Sequence, residues 1–269
     1  MATLEQLEQR ILAIEQKLTN NISDGDPYLS AHDGPEIDAA VDRASEGGAI
    51  DHALQMKPGK NLLDNSYFGN PVNQRGQTSY SVNSYTIDRW YTAHNKSYGT
   101  LIVDQTAGCV TISHDDDGGF VDFIQTLKNP ATEIVTLSVL MLSGNLYPAT
   151  GTLGSILLNT DEIFIRSDEP NKVILRCKTG KTISMIAAKL ELGSQQTLAH
   201  QDADGNWVLN EIPDYGEQLA RCQRYFQTFA TESLRPTNAF DFRPVMRATP
   251  ALSTITVGGK TLYTASADL

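Results

Sequence analysis

Between residues 4 and 18 apolar side chains recur at alternating spacings of three and four, at Leu4, Leu7, Ile11, Ile14 and Leu18. This is the heptad signature of a coiled-coil seam, with Leu4, Ile11 and Leu18 at position a and Leu7 and Ile14 at d. Isoleucine at both positions, together with leucine at a, favours three or more helices over two. Arg10 at g faces Glu15 at e of a neighbouring helix, as a parallel bundle requires. A helix of about 15 residues is marginal alone, so downstream contacts must share the work of holding copies together. An amphipathic helix resting on its own domain is the plainer reading of the same stripe.

After Leu18 the polar run NNISDGDP at 20–27 ends the helix. A shorter helix is expected to open at Asp33-Gly34-Pro35, carry Ile37, Ala40, Val41 and Ala44 on one stripe, and stop at Gly47-Gly48. From Asn61 the period changes to two. Strands are predicted at 100–103, 109–113, 119–124, 133–141, 155–158, 163–166, 172–177 and 182–190, which together describe an antiparallel β-sandwich. Few helical patterns interrupt them, which argues against a parallel sheet with crossover helices. Past Gly193 a hairpin turns at Asp204-Gly205. Leu219, Cys222, Phe226 and Phe229 then share one face of a predicted helix. Phe240, Phe242, Val245 and Met246, followed by Leu252, Ile255 and Val257, read as strand-like patches closed by a turn at Gly258-Gly259-Lys260. The fold class is therefore mainly β. A coiled coil over 1–22 leads into a neck over 23–59, a β-sandwich over 60–193, and a C-terminal helix with a small β tip over 194–269.

Charge narrows the partners. The 269 residues hold 21 Lys and Arg against 32 Asp and Glu, a net charge of -11. No stretch gathers the clustered cations that track a phosphate backbone, so nucleic acid is excluded as a partner. No apolar run approaches the roughly 18 residues of a membrane span, which speaks against membrane insertion. The first residues form an acidic heptad helix rather than a basic region followed by an apolar core, so a soluble protein without a signal peptide is expected. Cys109, Cys177 and Cys222 are scattered without C-x-x-C spacing, as buried free thiols are.

Several passages carry a family likeness. NLLDNSYF at 61–68 with PVNQRG at 71–76, YTIDRW at 85–90, and KLELGS at 189–194 resemble the distal proteins of phage and phage-like tails, the tail-fibre or receptor-binding family. YGEQLARCQRYF at 215–226, followed by RPVMRATP at 243–250, is similar to their C-terminal pattern, and DGPEIDAAV at 33–41 to their neck segments. The resemblance implies a homotrimer in a virion tail or phage-like particle, made in the cytoplasm of the bacterial host. Its N-terminus would join other tail or baseplate proteins, and its sandwich, of the carbohydrate-binding jelly-roll kind, would meet bacterial cell-surface glycans. The stretch after Pro250 is too short for a large separate tip, so recognition is expected on the sandwich itself.

Sugar binding stacks aromatic rings on pyranose C–H faces beside hydrogen-bonding amides and carboxylates. Tyr80, Tyr85, Trp90, Tyr91, Asn95 and Tyr98 supply such groups in one stretch. Trp90 reads as a core anchor, with Asp88 and Arg89 as a supporting ion pair. Tyr91, Asn95 and Tyr98, around the loop residues His94 and Lys96, are the candidate ligand-binding residues. Asp115 and Asp117 in the acidic stretch after His114 are weak candidates for calcium, an oxygen-seeking cation, although a solvated hairpin turn explains them more simply. Asp202 to Asn206 lacks the later bidentate Glu of a calcium loop. KTGKT at 178–182 lacks the earlier phosphate-loop glycine, its place being taken by Leu175. No G-x-S-x-G elbow occurs, and the five histidines show no metal-binding spacing, so neither an enzyme nor a cofactor is indicated. Two alternatives stand beside the adhesin. One is a structural tail or baseplate component without receptor contact. The other is a surface polysaccharide depolymerase, which would need paired carboxylates and usually a repetitive β-helix.

Overall fold

The computed structural model describes residues 9, 12–13, 59–95, 99–115, 118–128, 131–167, 169, 171–236, 238 and 241–268. Gln9, Leu12 and Ala13 are helical, and Leu12, one position past Ile11, is exposed. The seam residues Leu4, Leu7, Ile11, Ile14 and Leu18, like the short helix expected in the neck, lie outside the described residues. The chain divides into two compact units, Met1–Lys57 and Pro58–Leu269.

In the second unit twelve strands build two sheets. The first six are β1 (Ser79–Ser81), β2 (Ser84–Tyr85), β3 (Tyr91–His94), β4 (Gly99–Asp104), β5 (Cys109–His114) and β6 (Phe120–Thr126). The next six are β7 (Ile134–Met141), β8 (Leu146–Thr152), β9 (Ile156–Asn159), β10 (Phe164–Ser167), β11 (Lys172–Lys178) and β12 (Thr182–Leu192). Their orders are β1-β4-β5-β12-β7-β8 and β2-β3-β6-β11-β10-β9, antiparallel throughout. Alternation along each strand sends one set of side chains inward. Leu101, Ile112, Leu137 and Met185 from the first sheet and Phe123, Ile165, Val173 and Leu175 from the second meet in one hydrophobic cluster. That shared core is the β-sandwich the period-two pattern predicts.

The acidic stretch after His114 is not the hairpin turn expected. It carries the chain from β5 in one sheet to β6 in the other, because β5 already lies between β4 and β12, and β6 between β3 and β11. Strand β12 also changes partner. It pairs with β5 as far as Met185, where its register shifts. Beyond that point residues 61–68 take over the vacated edge, through Leu62 N to Leu190 O, Ala188 N to Ser66 O and Phe68 N to Ile186 O, each 2.8 Å. The outer face of β7 is covered in turn by a hairpin, β13 (Ala199–Gln201) and β14 (Trp207–Leu209), which packs Leu198, Trp207 and Leu209 on Leu140 and Ala187.

Trp90 is the anchor the sequence suggests. Fully buried, it stacks on Phe123 with centroids 4.3 Å apart and meets Phe68 edge-on at 5.4 Å. Its indole N–H donates to Asn65 O at 2.9 Å, so the ring fixes the 61–68 segment from beneath. Asp88 and Arg89, however, do not pair with each other. Neighbouring side chains diverge, and the left-handed backbone at Arg89 (φ 72°) turns its guanidinium to Asp64, 3.2 Å away, while Asp88 meets Arg75 at 3.1 Å.

Helix α1 (Tyr215–Cys222) is capped by Asp214, whose carboxylate accepts from Glu217 N at 2.8 Å. It stops at Cys222, earlier than the apolar spacing predicts. Phe226 and Phe229 belong instead to β15 (Phe226–Phe229), which pairs with β17 (Lys260–Ser266), and that long-range ladder overrides the local helical period. Strand β16 (Ala251–Val257) completes a sheet of order β15-β17-β16. Gly258 and Gly259, both at positive φ, make the two-residue turn between Val257 and Lys260. Phe242 and Met246 lie outside any strand and form a small core with Ala265 and Ala267; Phe240 is outside the described residues. Cys109, Cys177 and Cys222 are buried free thiols. Among the described residues no helix is long and apolar enough to cross a membrane.

Candidate functional site

The outer face of the second sheet holds a cleft of about 460 Å³. Each contributing strand offers it the side chains that alternate with its core positions. Strand β3 supplies Tyr91 and Ala93 on either side of the buried Thr92, and β6 supplies Ile124 and Thr126 on either side of the buried Gln125. Tyr85 of β2 and Lys172 of β11 complete the walls, with Arg89 at the base. The register explains the grouping: Tyr85 lies opposite Tyr91, Tyr91 opposite Ile124, and Thr126 opposite Lys172.

The two tyrosines meet edge to face, centroids 5.3 Å apart. Burial first, and then the charge of Asp268, push the Tyr85 hydroxyl above its ordinary value, so it stays protonated and can both donate and accept. Arg89 is held rigidly: it pairs with Asp64, donates to Thr126 O at 2.8 Å, and lies 3.6 Å over the Tyr225 ring. Lys172 is less constrained. Its ammonium meets Glu169 at 2.9 Å in a pair whose side chains are 35% and 52% exposed.

Of the residues singled out in the sequence, Tyr91 is in this cleft. Asn95 sits past the end of β3, where its side-chain carbonyl accepts from Phe120 N at 3.0 Å; it braces the start of β6 and does not line the cleft. Tyr98 and Asp117 lie outside the described residues. Asp115 is exposed, and its backbone carbonyl accepts from Gly180 N at 3.3 Å. Among the described residues no group of three or more His, Cys, Asp or Glu side chains could hold a metal ion, so the calcium expectation gains no ligand set there. Tyr80 is core, its hydroxyl bonded to Asn73 and pushed up to about 12 by burial.

Ala93, Ile124, Thr126 and Lys172 are cleft residues that the sequence reading leaves unassigned, and Tyr85, named there among the aromatic groups, is not one of its candidate ligand-binding residues. Alternation within β6 and β11 marks Ile124 and Lys172 as outward, but nothing local says that they stand beside Tyr91. Apart from Tyr85 and Arg89, the motifs quoted for the resemblance have another task. Asn65 bonds Val72 and Asp88 through its side chain, and its N–H donates to Gln218 at 2.9 Å. Gln74 bridges Asp88 and Phe226 O, and Asp64 pairs with both Arg89 and Arg221. These residues tie 61–90 to the helix and tip. Comparison with protein-family models, curated proteins and solved structures gives no match.

Proposed function

We propose that the chain is a receptor-binding adhesin of a phage or phage-like tail, holding bacterial surface glycans against the outer face of its second sheet. The observation that carries this reading is the Tyr85–Tyr91 pair walling a cleft of about 460 Å³. A sugar ring presents an apolar C–H face and a polar rim. An aromatic wall answers the first, and the Tyr85 hydroxyl with the Lys172 ammonium answers the second. The sequence likeness to tail-fibre proteins points the same way, and the two-sheet arrangement is compatible with the jelly-roll kind of sandwich that the likeness implies.

On this reading the heptad seam from Leu4 to Leu18 joins three copies, and the N-terminal region docks on other tail or baseplate proteins. Single protein–sugar contacts are weak. Three heads on one stalk gain on the order of 10²-fold or more in avidity without any new contact, provided that the geometry lets them engage together.

The test applies the full chain to a printed array of bacterial surface polysaccharides, beside Tyr91→Ala and Tyr85→Ala. Saturable binding is expected, with each substitution weakening it about tenfold while the melting temperature stays within a degree or two. Release of oligosaccharide would favour a depolymerase. Absence of binding to the array and to intact cells would favour a purely structural tail part.

A further inference from the structure

We infer that the cleft between Tyr91 and Lys172 takes an acidic sugar, a pyranose bearing a carboxylate or a phosphate, and this inference rests on the glycan-binding reading. The chain as a whole is acidic, with 32 Asp and Glu against 21 Lys and Arg. The second sheet reverses that balance. Its six strands carry Arg166, Lys172, Arg176 and Lys178, and Asp122 is their one carboxylate. All four cations occupy positions that alternate with buried core residues and so point to the outer face. A concentration of one sign of charge on one face of an oppositely charged molecule draws in ligands of the chain's own sign.

Within that face the charges differ in what they are free to do. Asp122 is occupied by Arg176, with contacts of 2.5 and 2.8 Å, and the Arg176 guanidinium lies 3.4 Å over the Phe120 ring. Arg89, at the base of the cleft, is held by Asp64. Lys172 keeps its ammonium at the rim, paired with an exposed Glu169. Such a surface pair is worth little and exchanges readily, so an arriving anion can take the place of Glu169 at small cost. Among the described residues that line the cleft none is a carboxylate that would repel it.

The spacing suits one sugar unit. Lys172 stands on the strand two over from Tyr91, roughly 10 Å away at about 4.8 Å per strand, and one outward position further along. A ring stacked on the tyrosine wall across Ile124 places an acidic substituent toward the ammonium.

The test is a printed array with neutral, uronic-acid-bearing and phosphate-substituted bacterial polysaccharides, including carboxyl-reduced counterparts of the uronic set. It is probed with the full chain and with Lys172→Gln, Lys172→Arg and Glu169→Gln. Binding to an acid-bearing member is expected, with loss on carboxyl reduction if the acid is a uronate, and weakening as salt rises. Lys172→Gln should bind on the order of tenfold more weakly, Lys172→Arg nearly as well as the native chain, and Glu169→Gln more tightly. Binding to neutral members alone, or an acidic ligand held equally well by Lys172→Gln, overturns the acidic-sugar inference and leaves the glycan reading intact. Binding to no member overturns the glycan reading itself.

Discussion

Arg75 Nη2 lies 2.7 Å from Asp268 Oδ2, joining residues 193 positions apart in the chain. The other arm of the guanidinium meets Asp88 at 3.1 Å, and its plane rests 3.9 Å over the Phe226 ring. One side chain thus ties the 71–76 motif to strand β15 and to the residues that follow β17. Removing it would leave two nearly buried carboxylates without a cation. Arg75→Ala should therefore cost about 3–5 kcal/mol in urea denaturation. Arg75→Lys should recover only part of that, since a point charge cannot bridge both partners as the planar fork does. A loss under 1 kcal/mol for Arg75→Ala would mean that the tie is not structural.

Asp88 gives this junction a pH dependence. Complete burial pushes its carboxyl up to about 7, against the opposing pull of Arg75 and of the Gln74 amide. An unfolded chain releases that proton near the ordinary 3.8, so between these values the folded form holds a proton that the unfolded form lacks. The contribution of this group to stability is complete below about 4 and is lost as pH rises through about 7. The difference in melting temperature between native chain and Asp88→Asn should accordingly change between pH 5 and pH 8, the native chain gaining on the acidic side. Parallel curves for the two proteins would contradict it.

The heptad seam yields a separate expectation. On the proposal that this seam joins three copies, Ile11→Asp with Ile14→Asp places a carboxylate at an a and a d position, and the mass in solution should fall from that of a trimer to that of one chain. Adhesion to cells should drop by one or two orders of magnitude, while a single head keeps its affinity for a soluble oligosaccharide. Sedimentation with a parallel cell-binding assay reads both. An unaltered mass would remove the seam from the oligomer.

Long apolar alternation proved the most legible part of the fold. Strands β4 to β7 and β9 to β12 all fall where period two places them, because each contributes side chains to one dry core. Strand β8 escapes the pattern: Pro148 and Gly151 interrupt it, and as the edge of its sheet it buries only Ala149 among its seven residues. Strands β1 to β3 are two to four residues long and sit in a turn-rich stretch, too short to display a period. The helix ending at Cys222 shows the opposite error. Its apolar spacing continues through Phe226 and Phe229, whose places are decided by β17, more than thirty residues later.

The cleft was visible only at one corner. Tyr91 stands out as an aromatic next to polar loop residues, a local signal. Lys172 reaches the same cleft because β11 pairs with β6 in one register, Thr126 against Lys172, and β6 pairs with β3 in another. Two successive pairings between distant segments leave no trace in either segment alone. Conversely, the motifs quoted for the resemblance, such as NLLDNSYF and YTIDRW, mark buried braces for the most part, Tyr85 at the cleft wall and Arg89 at its base being the exceptions.

Strands β3, β6 and β11 turn one residue to the cleft and the next to the interior. Under the adhesin reading, a particle whose target bacterium alters its coat can answer with exchanges at places such as 85, 91, 124 and 172. The braces at 65, 75 and 90 need not change in response. Host range and foldability would then drift on separate clocks, the former fast and the latter slow, within a single short polypeptide.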